Sequence, residues 1–329
     1  MTNKWNKQPF ILSIAIFFFT AFVLTMVQLK VDNPMLLAER FLPGAGWVEI
    51  FLISLYGAVV GFHMHDPKKS ATWRKYTWLV FSLFFFSQLL LGILIDSTFL
   101  MTGKLHIPVP AIILAGPVYR FETSFMTILF LSTIVLSGPA WCSHLCYFGA
   151  WDSFAAKGNT SRKPIKNRNA IKASGILLVI IIALTLRMLK VSALTATLFG
   201  VGFGVVGIAV MVFFSRKKGK MIHCVTYCPI GTIVNYLKYI NPFRMRINAS
   251  TCTQCMACIP SCKYDALNST DIKKGKPGST CTLCGDCLAA CHTHAIEYHF
   301  LGMKPKTARN FYLFITISLH AIFMALARL

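Results

Sequence analysis

The sequence is short of charge, and shortest of negative charge. Asp, Glu, Lys and Arg make up 13% of its 329 residues, 11 acids against 33 bases, whereas a soluble domain averages about 25% charged residues. With 55% hydrophobic residues, so little charge excludes an ordinary soluble domain and points to a membrane protein. Motifs for bound-substrate chemistry are also missing: there is no P-loop, no dinucleotide glycine motif and no nucleophile elbow. Two b-type haems would need histidines facing each other within membrane spans, and only His320 lies inside an expected span, which excludes them. The net charge of +22 comes without any nucleic-acid motif. Its basic residues flank hydrophobic runs, so they read as topology signals, and no nucleic-acid partner is expected.

A run of about 20 apolar residues makes a helix long enough to cross the hydrocarbon core. Phe10–Leu29, Tyr76–Ile95, Thr123–Cys142 and Val191–Ser215 contain no charged residue. In the last of these, Gly200, Gly202, Gly204 and Gly207 would let neighbouring helices approach closely. Ala173–Leu189 spans if Arg187 reaches the headgroups, and Trp47–Phe62 and Phe311–Ala327 complete a set of seven expected spans. Phe10–Leu29 is long for a signal h-region and no small-x-small site follows it, so it is expected to remain as an anchor. Ile107–Val118 carries Pro108, Pro110 and Pro117, which disfavour a continuous helix, and reads as a re-entrant or interfacial segment. With the N-terminus in the cytoplasm, most of the 33 Lys and Arg fall inside.

Two repeats organise the rest. Cys252-Thr-Gln-Cys-Met-Ala-Cys-Ile-Pro-Ser-Cys262 and Cys281-Thr-Leu-Cys-Gly-Asp-Cys-Leu-Ala-Ala-Cys291 share one cysteine spacing, and Ala266-Leu267 follows the first as Ala295-Ile296 follows the second. Cys142-Ser-His-Leu-Cys146-Tyr-Phe-Gly149 and Cys224-Val-Thr-Tyr-Cys228-Pro-Ile-Gly231 are both C-x3-C-x2-G, each after a pair of spans. The expected architecture is an all-α polytopic membrane domain of about six to seven helices over residues 1–248, bearing both C-x3-C elements. A small α+β bacterial-type ferredoxin-like domain for two [4Fe-4S] clusters covers 249–303, and a hydrophobic C-terminal segment 304–329.

In C-x2-C-x2-C-x3-C runs, three thiolates wrap one cubane and the fourth cysteine reaches the other. One cluster would take Cys252, Cys255, Cys258 and Cys291, the other Cys281, Cys284, Cys287 and Cys262. Zinc knuckles are the alternative; a disulfide framework is disfavoured on a reducing side. Lys263 and His292 stand where proline usually follows the fourth cysteine. Cys142, Cys146, Cys224 and Cys228 read in three ways: a further Fe–S or metal site, redox-active dithiols, or packing cysteines. Residues four apart share a helical face, and Pro229 would end the helix behind the second pair.

His63, His65, His144 and His223 are candidate metal or proton partners, with water-facing interface histidines as the plainer reading. Glu49, Asp96 and Glu122 near span ends either serve proton exchange or meet headgroups.

Spans, two C-x3-C elements, one in the form C-x3-C-P at Cys224–Pro229, and a double cysteine run together resemble the NapH-type membrane ferredoxins. They are also similar to the C-terminal half of NosR and, more distantly, to CcoG-type assembly proteins. The likeness covers roughly Tyr119 to His299. Tyr147 replaces the proline of the first element, the early and final spans are additions, and no FMN-carrying domain of the NosR kind is present. The resemblance implies an electron-transfer component of an oxidoreductase in a bacterial or archaeal inner membrane, its ferredoxin domain cytoplasmic. Electrons would pass between the quinone pool, as quinol oxidation or relay, and the redox subunits of a respiratory complex. Membrane lipid is a further expected partner. A redox-active assembly or regulatory factor, or a membrane anchor for a larger redox complex, are the other functions it implies.

Overall fold

The computed structural model describes residues 7–100, 109–123, 125–158 and 160–326. Of the residues named above, Ile107, Pro108 and Ala327 lie outside the described residues. Each of the seven apolar runs is a helix long and apolar enough to cross a membrane: Gln8–Lys30, Gly46–His65, Pro67–Leu94, Thr127–Leu145, Arg168–Met188, Ala193–Lys218 and Pro305–Leu326. Hydrocarbon leaves backbone amides no partner outside their own segment, so helices are what such runs must form. This is a mostly helical chain fit for a multi-pass membrane protein.

The chain forms two compact units, Met1–His106 with Lys306–Leu329, and Ile107–Pro305. In the first, Leu12, Ile16, Val60, Met64, Leu313 and Ile317 make one buried cluster, so the final helix packs with the first and second. The Arg309 guanidinium donates to the carbonyls of Met64 and His65, closing a helix C-terminus that otherwise ends in bare acceptors. His63 stacks on Trp73 with centroids 4.0 Å apart, and His320 shares a 2.9 Å hydrogen bond with the Tyr56 hydroxyl. Glu49 accepts from Ala38 N–H at 2.8 Å and Asp96 caps Thr98 N–H at 2.8 Å. Both carboxylates thus serve local backbone.

In the second unit the proline-rich segment is a helix after all, Pro110–Arg120, running through Pro117. Pro110 sits in its first turn, where no N–H is needed. Pro117 cannot bond the carbonyl of Ile113, and the Thr127 hydroxyl takes that acceptor instead, at 3.2 Å. Its 11 residues reach about 16 Å at 1.5 Å per residue, about half of a bilayer core. It lies on the glycine face of the Ala193–Val210 helix: a Cβ on Gly200 would come within 2.9 Å of Ile112, and one on Gly204 within 2.9 Å of Val109. Only glycine allows that approach. Beyond the last span of this unit, β1 (Arg244–Ile247) pairs antiparallel with β2 (Ile296–His299), Ile247 opposite Ile296. The two strands bracket the cysteine-rich segment and bring its two ends together.

Candidate functional site

Each C-x3-C element is a single π-turn, Trp141–Leu145 and His223–Tyr227. An i,i+4 cysteine spacing fits an α-turn equally well; here one wider turn lets the Cys146 N–H bond Trp141 O and the Cys228 N–H bond His223 O, both at 2.9 Å. The chain then goes extended at each second cysteine and starts a new helix, Tyr147–Ala155 or Pro229–Leu237. Pro229 thus follows the end of the first turn, with Cys228 extended before it as expected, and also opens the next helix. Tyr147 holds the same first position, where an N–H has no intrahelical partner, so losing proline there leaves the architecture unchanged.

The new helix brings its first amides near sulfur. The Phe148 and Gly149 amides lie close to the Cys146 thiol and the Ile230 and Gly231 amides close to that of Cys228, each favouring the thiolate; the Gly149 N–H itself donates to the Cys146 carbonyl at 3.0 Å. A Cβ on Gly231 would stand 2.6 Å from the Cys224 carbonyl oxygen, so glycine is required for the turn to close on itself. Gly231→Ala is expected to cost about 1–3 kcal/mol of overpacking and to lower the iron content of the purified protein. Gly202→Ala, with nothing within 4 Å, should leave iron unchanged; equal iron in both variants would remove this role for Gly231.

The two elements meet. Cys142, Cys146, Cys224 and Cys228 lie within electrostatic reach of one another, and the Lys172 ammonium, almost wholly buried, is close to Cys142, Cys228 and Cys224. Asp152, fully buried, accepts from the Cys224 N–H at 2.9 Å; burial raises its carboxyl to about 6. Burial also pushes the Cys146 thiol up to about 12 and raises those of Cys224 and Cys228. His144 and His223 are buried, not water-facing, and burial lowers His223 to about 4.

The cysteine-rich segment repeats in its backbone as in its sequence. Gln254, Met256 and Asp265 have φ of 54°, 59° and 53°, and Leu283, Gly285 and His294, at the same offsets, 57°, 79° and 53°. Such alternation turns successive N–H groups toward one concave side, a nest suited to negative charge. Ala266 N–H donates to Cys262 Sγ at 3.3 Å and Ala295 N–H to Cys291 Sγ at 3.2 Å, which explains why the alanine recurs. The halves cross: Cys258 is electrostatically coupled to Cys291, Cys252 and Cys255, while Cys262, Cys281, Cys284 and Cys287 line one small cavity.

None of the twelve cysteines is in a disulfide. Among the described residues no three His, Cys, Asp or Glu side chains are placed to hold a single metal ion.

The first C-x3-C turn is bonded to the cysteine-rich segment. Ser143 Oγ donates to Thr282 O at 3.2 Å and the Tyr264 hydroxyl to Cys142 O at 2.7 Å, tying the first π-turn to both cysteine loops. Lys238 donates to the carbonyls of Ser279 and Cys281 at 2.6 and 3.2 Å and is within reach of both Cys281 and Cys142. At the far end Cys255 is exposed. Lys263, in the usual proline position, donates to Gly158 O at 3.0 Å and Thr160 Oγ1 at 2.6 Å, while its carbonyl accepts from Met221 N–H at 2.9 Å. His292, its counterpart, is exposed. Both halves lack the proline, and Lys263 is the one whose side chain and carbonyl bond residues outside the cysteine-rich segment.

Sequence reasoning passed over Asp152, Lys172, Lys220, Lys238 and Asp265. The signal for the two acids was their rarity: each is one of 11 in the chain, and each sits close behind a cysteine motif.

No curated protein and no solved structure matches the chain. A family model described as a 4Fe-4S binding domain matches residues 120–164 and 197–248, segments that contain Cys142 with Cys146 and Cys224 with Cys228 and end before Cys252. The chain therefore carries a 4Fe-4S binding domain on helices fit to span a membrane.

Proposed function

We propose that this chain is an electron-transfer subunit that holds three [4Fe-4S] clusters in series and connects the quinone pool to a respiratory redox partner. One cluster is held by Cys252, Cys255, Cys258 and Cys291, a second by Cys281, Cys284, Cys287 and Cys262, a third by Cys142, Cys146, Cys224 and Cys228. The observation that carries this reading is the direct bonding of the Cys142 turn to the loops of the second quartet, through Ser143–Thr282 and Tyr264–Cys142. Each bound cluster supplies one-electron transfer; the chain's own residues hold it, cushion its charge and fix its distance to the next. The N–H groups near Cys146, Cys228, Cys262 and Cys291 stabilise sulfur's negative charge.

A cavity of about 170 Å³ between the Pro110–Arg120, Arg168–Met188 and Ala193–Val210 helices supports the quinone end. Its wall includes Phe203, which stacks on Tyr227 at 4.4 Å, the residue before Cys228. The exposed Cys255 supports exit to a partner protein. The charge distribution supports a cytoplasmic module in a bacterial or archaeal inner membrane.

Purified protein should contain about 12 iron and 12 sulfide per chain, against about 8 of each if only the double cysteine run is loaded. Dithionite-reduced protein should be reoxidised by a quinone analogue. A count of about 8 would overturn the third cluster; full iron without reoxidation would overturn the quinone end alone.

A further inference from the structure

Where the second unit's first span gives way to the cysteine-rich segment there is a cavity of about 280 Å³. Lys238, Arg244, Lys274 and Lys276 line it, with Asp271 as the one acid. Two of the cations are held by backbone carbonyls, with the Tyr239 ring beside both: Lys238 by the carbonyls of Ser279 and Cys281, and the Arg244 guanidinium by those of Lys238, Asn241, Phe243 and Tyr239. Carbonyls orient these groups without neutralising them. Among the described residues none of the four cations makes an ion pair. Four positive charges against one carboxylate and the Cys281 sulfur, around a space open to a ligand, describe an anion site.

The surroundings say which anion. Ile128, Leu131 and Val135 form an exposed stripe along one face of the Thr127–Leu145 span. At the end of the stripe the Val135 carbonyl accepts from Asn241 Nδ2 at 2.7 Å, and the Asn241 carbonyl in turn accepts from Arg244. Tyr236, Tyr239 and Ile240 beside it are also exposed, as aromatic and apolar side chains are at a membrane surface. An acyl chain laid along the stripe would end where the guanidinium begins.

We infer that this cavity binds the phosphate headgroup of an anionic phospholipid, with the lipid's chains against the Ile128–Val135 face. Phosphate is the shared chemistry of a lipid and a free ion; the apolar stripe favours the lipid. This reading is independent of how many clusters the chain holds. Basic pockets at span ends are a general form of headgroup recognition.

The test uses the full-length purified protein in detergent micelles carrying equimolar phosphatidylglycerol and phosphatidylcholine, with bound lipid counted by native mass spectrometry. Wild type should retain phosphatidylglycerol over phosphatidylcholine. Lys274→Gln and Lys276→Gln should each weaken that retention about fivefold. Both lysines are exposed, so the variants fold. Lys273→Gln, equally exposed but outside the cavity lining, should leave retention unchanged. Inorganic phosphate should displace the lipid only at concentrations far above the lipid's own. Equal retention of the two lipids, a double variant that still holds phosphatidylglycerol, or a Lys273 effect as large as that of Lys274 would each overturn the site. Displacement by phosphate mole for mole would assign it to a free anion and overturn the lipid.

Discussion

Asp265→Asn is expected to loosen the cysteine-rich segment from the membrane helices at a cost of about 3–5 kcal/mol. The Asp265 carboxylate is buried and meets two cations from distant parts of the chain, the Lys220 ammonium and Arg168 Nη1, the latter at 3.1 Å. It also accepts from the Ile165 N–H at 3.0 Å. The cations are held in turn: Lys220 donates to Lys163 O at 2.9 Å, and Arg168 reaches Asp265 O at 2.6 Å and Thr280 Oγ1 at 3.3 Å. Asparagine keeps the shape and one acceptor but removes the charge, which leaves the Lys220 ammonium buried without a counter-ion. That uncompensated charge, more than the lost attraction, sets the size of the effect. Urea unfolding followed by visible absorption, with limited proteolysis between residues 244 and 304, should show a lower midpoint and faster cleavage. Pairing Asp265→Asn with Lys220→Met removes the stranded charge and should recover part of the loss, a coupling that a double-mutant cycle isolates. An unchanged midpoint in the single variant would show that the triad does not hold the segment.

The elements that sequence made legible are those whose physics is local. A membrane span announces itself by length and lack of charge, and all seven expected runs are helices. Cysteine spacing announced the two duplicated modules, and the matching positive-φ residues at Gln254 and Leu283, Met256 and Gly285, Asp265 and His294 show the same duplication in the backbone. What stayed hidden depends on partners far along the chain. Asp265 lies 45 residues from Lys220 and 97 from Arg168, a separation no motif spans. Pro117 argued against a helix because the hydroxyl that relieves it comes from Thr127, on the next element. A C-x3-C spacing does not distinguish an α-turn from a π-turn; the backbone bonds to Trp141 and His223 decide that. Nor does the sequence mark the Pro305–Leu326 helix as a member of the first unit, since its partners Leu12, Ile16, Val60 and Met64 share with it only their apolarity.

Cys228→Ser is expected to remove one cluster and leave two, lowering iron from about 12 to about 8 per chain. The argument starts from the state of the thiols. A redox-active dithiol needs a thiolate at working pH, which positive surroundings and partial exposure provide. Here Cys146 and Cys228 are buried, and burial is the largest influence on Cys146, Cys224 and Cys228, in each case upward. As free thiols these groups would stay protonated and inert. Packing cysteines would not need the amides of the following helix close by, favouring the thiolate, nor a buried Lys172 beside them. A metal centre accounts for both, because coordination deprotonates the thiol outright and the lysine and amides then meet real negative charge. Serine at position 228 keeps the volume and replaces a soft ligand with a hard one that suits iron–sulfur chemistry poorly. The loss should be confined to the third cluster: EPR of the reduced variant should lose one component, with the signals assigned to the other two quartets intact. Cys255→Ser, at the exposed end, should remove a different component and spare the one lost with Cys228. If Cys228→Ser keeps all of its iron and its spectrum, the C-x3-C quartet holds no cluster.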